Sequence, residues 1–138
     1  EGSLRYLFEP TPEFNPATRL EEVVHSVCAT HRCTADFHIE VENEVVVNSP
    51  EMVNMVRQSA LEMTGDETSV VDHRSMAGED FAAYAKRVPS AFVFVGTGNP
   101  EKETDFPHHS PRFNIDEDTL PTGVELFVRT AFRYFQKA

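Results

Sequence analysis

The hydrophobic positions in the first third of the chain recur with the period of a helix. They occupy the i, i+3, i+4, i+7 and i+8 positions that line one helix face, namely Leu20, Val23, Val24, Val27 and Cys28. Asn15 is a good N-cap residue, and Pro16 suits the first helical position. We therefore predict a helix that begins at Pro16 and ends near His31 or Arg32, where cations suit the C-terminal end of the helix dipole.

Three further segments are predicted as helices. Ser49-Pro50 repeats the cap-and-proline signal, and Gly65 is a natural residue to follow the end of that helix. Its apolar face consists of Met52, Val56, Ala60 and Met63. A shorter helix is expected over residues 79–88. The last helix carries its apolar positions at Leu120, Val124, Phe127, Val128, Ala131, Phe132 and Phe135.

Other stretches alternate with a period of two or are apolar throughout, and these predict strands. Residues 35–42 alternate strictly between apolar and polar side chains, which is typical of a strand with one buried face. Further strands or extended runs are expected at residues 1–8, 45–47, 69–71 and 91–95. The order of elements predicts an α/β chain, α+β overall, with a β-α-β layer up to about residue 48 and an α/β layer after it.

Composition and charge narrow the classes of partner. The 138 residues are 40% hydrophobic and carry a formal net charge of −11. This charge argues against nucleic acid or an anionic membrane as a partner, because both require a basic face. No apolar run reaches the length of a membrane span, and the first residues lack the order of a signal peptide. Two cysteines suit a reducing compartment, so a cytoplasmic location is expected.

One cluster of residue types resembles a compact zinc site. It consists of Cys28, His31, Cys33 and His38. Cys28 belongs to the apolar face of the first helix, His38 points outward from the predicted strand, and the spacing of paired zinc ligands is absent. Buried or idle thiols are therefore the favoured interpretation.

The segment from Phe106 to Asp118 contains two imidazoles, two prolines and three carboxylates, and it lies between an apolar run and the last predicted helix. Pro107 and Pro111 remove backbone donors and fix φ, so the loop between them should be rigid. A rigid loop that presents imidazole nitrogens near carboxylates suits one wall of a metal site. From the local residues alone, a surface loop with two solvated histidines is the favoured interpretation.

Residues 75–81 place small side chains just before the short predicted helix. Backbone N–H groups at such a position can bind a carboxylate or a phosphate. For this turn taken alone, the favoured interpretation is that Glu79 and Asp80 only compensate the helix dipole.

Taken together, four stretches resemble the metal-dependent amidohydrolases that include hippurate hydrolase, N-acyl-amino-acid deacylases and the plant auxin-conjugate hydrolases. The first is Gly2-Ser3-Leu4-Arg5, and the second is the strand-to-helix junction at residues 46–51. The third is the Ser-Met-Ala-Gly-Glu-Asp-Phe turn at residues 75–81. The fourth is the His-Ser-Pro-x-Phe-x-Ile-Asp-Glu motif at residues 109–117.

The resemblance implies an enzyme in which a lid domain interrupts a catalytic domain with two divalent metals. Residues 1–48 would be the second half of a ferredoxin-like lid and dimerisation domain, and residues 49–138 the C-terminal segment of the catalytic domain. His109 maps onto a metal ligand of the family, and His108 does not. The Ala77-Gly78 turn is the candidate to receive the carboxylate of the substrate, with Arg5 as a weaker second candidate.

What is absent from the sequence also bears on the function. The general base of the family is a Glu-Glu pair after a strand, whereas Glu21-Glu22 is here on the polar face of a helix. We therefore expect no catalytic residue in this chain, which would be the C-terminal fragment of an enzyme that hydrolyses the amide bond of N-acyl amino acids or small peptides. Alone it would be inactive and would bind zinc, manganese or nickel only weakly.

Two assembly states are compatible with this interpretation. The intact protein would form a homodimer through its lid domain. The alternative is that the chain is a non-catalytic interaction or dimerisation module that uses the strand edge of its lid half.

Overall fold

The computed structural model describes residues 2–41 and 43–137. Within them the α-helices are α1 (Pro16–Thr30), α2 (Pro50–Thr64), α3 (Ala82–Ala85) and α4 (Leu120–Lys137). Short 3-10 helices occupy Glu67–Ser69, Pro100–Lys102 and Glu117–Thr119.

Helix α1 has the bounds that the sequence predicts. The side-chain oxygen of Asn15 accepts a 2.9 Å hydrogen bond from the amide of Ala17, and Pro16 is the first helical residue. The amide of His31 closes the last turn by donating to the carbonyl oxygens of Val27 and Cys28. The helix therefore forms from local signals. No residue of α1, all of which the structure describes, is fully buried.

Helices α2 and α4 pack against each other. Helix α2 ends at Gly65, which has a φ of 65° and donates its amide to the carbonyl oxygen of Leu61. The fully buried side chains of α2 are Met55 and Ser59, whereas those of the predicted apolar face, Met52, Val56, Ala60 and Met63, are half-buried. The guanidinium of Arg133 on α4 donates to the hydroxyl of Ser59, so a polar contact joins the buried face of α2 to α4.

The predicted α/β fold with its β-α-β lid half is wrong for the residues that the structure describes, because none of them belongs to a strand or sheet. An alternating pattern indicates an extended chain with one apolar face, but a strand also requires a neighbouring backbone to pair with. At Phe92 the side-chain amide of Asn48 bonds to the backbone groups that a neighbouring strand would otherwise pair with. It donates to the Phe92 carbonyl oxygen at 3.0 Å and accepts from the Phe92 amide at 2.7 Å.

Two of the predicted helices also differ from expectation. The helix predicted over residues 79–88 is regular only at Ala82–Ala85, because the amide of Arg87 bonds to the Tyr84 carbonyl oxygen and tightens the last turn. The apolar positions of α4 are largely exposed, among them Val124, Phe127 and Phe132. The period of the apolar positions therefore predicted where α4 lies in the sequence, but not which of its faces packs against the rest of the unit.

The chain divides into two compact units. The first comprises the residues up to Val47 together with Asp72–Val88. The second comprises Asn48–Val71 and the residues from Pro89 onward. The assignment of residues 1–48 to a lid and of residues 49–138 to a catalytic segment stays a prediction.

Within the described ranges, no helix is both long enough and apolar enough to cross a bilayer.

Candidate functional site

His109 lies in a loop whose two ends are joined, and we call residues 97–116 the histidine loop. The amide of Asp116 donates a 3.0 Å hydrogen bond to the carbonyl oxygen of Thr97. This bond brings together two backbone positions that are nineteen residues apart, so the loop has a defined base and a separate tip.

The carboxylate of Asp116 holds the base of the histidine loop. It is 7% exposed, and its two oxygens accept from different donors. Lys102 Nζ donates to Oδ1 at 2.7 Å, and Asn99 Nδ2 donates to Oδ2 at 2.8 Å. Lys102 also forms an ion pair with the exposed carboxylate of Asp118. The carboxylate therefore joins both sides of the loop.

These contacts change the pKa values of both ionic partners. The hydrogen bond from Lys102 lowers the pKa of the Asp116 carboxyl, and the bond from Asn99 lowers it further. The bonds to Asp116 and then to Asp118 raise the pKa of the Lys102 ammonium. Both shifts favour the charged forms, so the pair stays ionised near neutral pH.

Thr104 completes the base from inside the loop. It is buried, and its hydroxyl donates to the Thr97 carbonyl oxygen at 3.2 Å while it accepts from the Asn99 amide at 3.0 Å. The Asn99 side chain also caps the 3-10 helix by accepting from the amide of Glu101 at 3.0 Å. Each polar group at the base therefore has a partner, as buried polar groups require.

At the tip, His109 adopts a backbone conformation that few side chains tolerate. Its φ is 65°, in the left-handed region where histidine is one of the enriched non-glycine residues. The turn is closed by a 3.2 Å bond from the Ser110 amide to the Pro107 carbonyl oxygen. The His109 ring is exposed and makes no hydrogen bond to another described residue. Glu103 in the same loop has a φ of 54°, so the conformation marks a constrained loop and does not by itself single out His109.

The neighbours of His109 are engaged in packing. The ring of His108 lies edge-on to Phe113, with a centroid distance of 4.8 Å. The guanidinium of Arg112 lies 3.9 Å from the centroid of the Phe106 ring and donates to Glu103 Oε1 at 3.2 Å. These contacts brace both sides of the tip, and His108 is exposed like His109 but has a ring partner.

The residues described do not fit a complete metal centre. Among them, no three histidine, cysteine, aspartate or glutamate side chains lie together as a ligand group would. His109 offers one nitrogen donor of the right chemistry, and a stable divalent site needs about three or four ligands.

The Cys/His set of the first unit is likewise not assembled into a ligand group within residues 2–41 and 43–137. Cys33 Sγ donates to the carbonyl oxygen of Cys28 at 3.4 Å, and the His38 ring lies against Glu40. Desolvation raises the pKa of the Cys28 thiol, with a further contribution from the hydrogen bond to Cys33.

The predicted substrate-binding residues lie in the first unit, and the structure brings them together. Arg5 Nη1 donates a 2.8 Å hydrogen bond to the carbonyl oxygen of Met76, which directly precedes Ala77-Gly78. The Ala77 amide donates to the hydroxyl of Ser75 at 3.1 Å. A Cβ added to Gly78 would lie 3.3 Å from Asn43 Nδ2.

Sequence reasoning missed Asn43, Asn99 and Lys102. The Asn99-Pro100 pair is a visible capping signal. The bond from Asn99 to Asp116 spans seventeen positions, and no periodicity or motif in the sequence indicates it. Asn43 had no signal of its own, because its approach to Gly78 depends on how the first unit folds.

Comparisons with known proteins agree on one class. Residues 7–133 match the family described as Peptidase family M20/M25/M40. The chain is 30% identical over 134 residues to the uncharacterized hydrolase y4tI of Sinorhizobium fredii, a match that covers 96% of this chain and 32% of that protein. It is 30% identical over 117 residues to the putative amidohydrolase YhaA of Bacillus subtilis, covering 85% of this chain and 30% of that protein.

A plant relative adds a third match. The chain is 32% identical over 120 residues to the IAA-amino acid hydrolase ILR1-like 6 of Arabidopsis thaliana, covering 84% of this chain and 26% of that protein. The chain thus spans between 26% and 32% of the length of these curated relatives.

Proposed function

This chain belongs to Peptidase family M20/M25/M40, and we propose that it is the C-terminal part of a metal-dependent amidohydrolase that cleaves N-acyl amino acids or small peptides. The observation that carries the proposal is the family match over residues 7–133, which includes the histidine loop. Relatives named amidohydrolase and IAA-amino acid hydrolase support an amide substrate.

In this proposal His109 supplies one ligand of a centre whose other ligands and general base lie outside this chain. A bound divalent metal would lower the pKa of a water molecule and polarise the amide carbonyl. Zinc, manganese and nickel all accept a nitrogen donor of this kind. The exposed ring of His109 and its separation from the packed ring of His108 support the assignment. The chain by itself would be inactive and would hold metal weakly.

The first unit would receive the carboxylate of the substrate. At the Ala77-Gly78 turn a side chain on Gly78 would meet the end of Asn43, and Arg5 is anchored beside the turn through Met76. A guanidinium has five N–H donors, and the bond to Met76 uses one of them. The remaining donors suit a carboxylate, which arginine binds in a bidentate geometry.

The test compares His109→Ala with His108→Ala in the intact enzyme. We expect His109→Ala to lose one equivalent of tightly bound zinc or manganese in a calorimetric titration and to lose hydrolysis of an N-acyl amino acid. His108→Ala, which removes a ring packed on Phe113, should retain both. Equal metal binding by the two variants would overturn the assignment of His109.

A homodimer formed through residues 1–48 and a cytoplasmic location also remain proposals. The alternative of an interaction module that pairs through a strand edge lacks its strand in the described residues. Exposed apolar side chains at Val41 and Val47 are what favours self-association in that region. Size-exclusion chromatography of the 138-residue chain tests it, and a strict monomer would count against it.

A further inference from the structure

The base of the histidine loop is a distinct structural device, which we call the clasp and define as Asn99, Lys102 and Asp116. Asp116 is the common acceptor, and both of its carboxylate oxygens are occupied. The backbone bond from Asp116 to Thr97 lies beside these side-chain contacts. The contacts among these three side chains therefore help to join the beginning of the loop to its end.

The clasp is better protected from water than the contacts at the tip. Within the clasp the side chain of Asp116 is 9% exposed and that of Lys102 is 45% exposed. The side chains of Arg112 and Glu103, which brace the tip, are 60% and 78% exposed. Exposed ion pairs contribute little to the free energy of folding. Removing a hydrogen-bond donor from a buried carboxylate destabilises the fold much more, because the carboxylate is left without a partner. The clasp is therefore the stronger of the two constraints on this loop.

We propose that the clasp is a positioning device for His109, and that Asp116, held by Lys102 and Asn99, fixes the base of the histidine loop so that the imidazole at its tip is held ready for a divalent cation. The inference rests on the proposed role of His109 as a metal ligand. Asp116 acts through the backbone and touches neither metal nor substrate.

The geometry supports this role in two ways. His109 is held at a φ of 65°, a conformation that a non-glycine residue keeps only when its surroundings constrain it. Closing the ends of a loop also removes conformational freedom from every residue between them. A loop open at its base would let His109 relax to an ordinary backbone conformation and turn its ring away.

The experiment uses the intact enzyme and a matched pair of carboxamide variants. Asp116→Asn removes the negative charge of the clasp and keeps the size of the side chain. Asp118→Asn is the control, because Asp118 pairs with the same lysine but its side chain is 84% exposed. We expect Asp116→Asn to weaken the affinity for zinc about 10-fold or more, the range seen when supporting groups of a metal site are lost. Asp118→Asn should change the affinity less than about 2-fold, as expected for an exposed pair.

Hydrogen exchange of backbone amides separates positioning from general loss of stability. Asp116→Asn should speed exchange in residues 105–114 and leave α2 and α4 unchanged. If Asp116→Asn does not fold, Lys102→Met gives the same readouts at a more exposed position, and Lys102→Arg should restore most of the zinc affinity. A uniform rise in exchange over the whole second unit would overturn the positioning role.

The outcomes also separate this inference from the proposed function. If His109→Ala loses zinc and Asp116→Asn binds it normally, the clasp has no positioning role, but the assignment of His109 stands. If His109→Ala binds zinc normally, the assignment of His109 fails, and the inference fails with it. Loss of zinc by both variants, with faster exchange confined to the loop, is the result that we expect.

Discussion

The guanidinium of Arg5 donates a 2.8 Å hydrogen bond to the carbonyl oxygen of Met76, across 71 positions of the chain. This one bond connects two features of the first unit that the sequence marks separately. It places a cation at the residue that precedes the Ala77-Gly78 turn. The candidate site for a substrate carboxylate is therefore built from both ends of the unit.

Replacing Arg5 tests this arrangement in the intact enzyme. We expect Arg5→Met to raise KM about 10-fold, equivalent to about 1.4 kcal/mol of binding, with kcat nearly unchanged. The reason is that in the proposed arrangement the cation would bind the substrate and would not act on the scissile bond. Arg19→Met is the matched control, because Arg19 forms an exposed pair with Glu22 on α1. Steady-state kinetics with an N-acyl amino acid gives both constants, and an unchanged KM for Arg5→Met would contradict the prediction.

Substitutions at Gly78 test the turn itself. A Cβ at this position meets only the end of an Asn43 side chain, at 3.3 Å, so Gly78→Ala should fold normally and raise KM slightly. Gly78→Val should raise KM more strongly, because its methyl groups fill the space beside the turn. Adding Asn43→Ala to Gly78→Ala should bring KM back toward the original value. If Gly78→Val leaves KM unchanged, the turn does not line the binding site.

Replacing Arg133 or Arg129 of α4 should lower the stability by different amounts. Arg133 contacts Gln58 and Glu62 as well as the hydroxyl of Ser59, a residue with no exposed surface. We expect Arg133→Ala to lower the free energy of unfolding by about 1–2 kcal/mol, since hydrogen bonds from a charged group are among the stronger ones.

The matched control is Arg129→Ala, which should cost about 0.5 kcal/mol or less, because an exposed i, i+4 pair with Glu125 contributes little. Urea unfolding of the 138-residue chain measures both changes. Equal losses for the two arginines would show that the contact with Ser59 does not hold α2 against α4.

The clasp also predicts how stability depends on pH. The hydrogen bond from Lys102, followed by that from Asn99, lowers the pKa of Asp116 in the folded protein, so the unfolded chain binds more protons in acid. The contribution of Asp116 is then present above its unfolded pKa of about 3.9 and lost as the pH falls through the lower folded pKa. Urea unfolding between neutral pH and pH 3 should show a shallower acid decline for Asp116→Asn, and an identical decline would refute this.

The alkaline side follows from the partner of Asp116. The pKa of Lys102 is raised by its hydrogen bonds to Asp116 and then to Asp118, so its contribution is complete below the unfolded pKa of about 10.4. That contribution is lost as the pH rises through the higher folded pKa. Lys102→Met should therefore flatten the loss of stability above about pH 10, and a curve parallel to that of the unchanged protein would contradict the assignment.

Local signals in the sequence determined helices α1 and α2 and their ends. Asn15 with Pro16, and Gly65 after α2, act on backbone groups a few positions away, so no distant residue is needed to place them. The motif at residues 109–117 likewise identified the family, because it is contiguous. These parts of the prediction depended only on short-range interactions.

Tertiary structure decided what depends on residues far apart in the chain. The alternating residues 35–42 predicted a strand, yet pairing requires a second backbone, which no pattern within the segment can guarantee. The buried face of α2 is the face that contacts Arg133 on α4, and the base of the histidine loop includes the bond from Asn99 to Asp116. The period of the hydrophobic positions shows which face of an element is apolar. Burial and strand pairing depend on which other element packs against that face or edge.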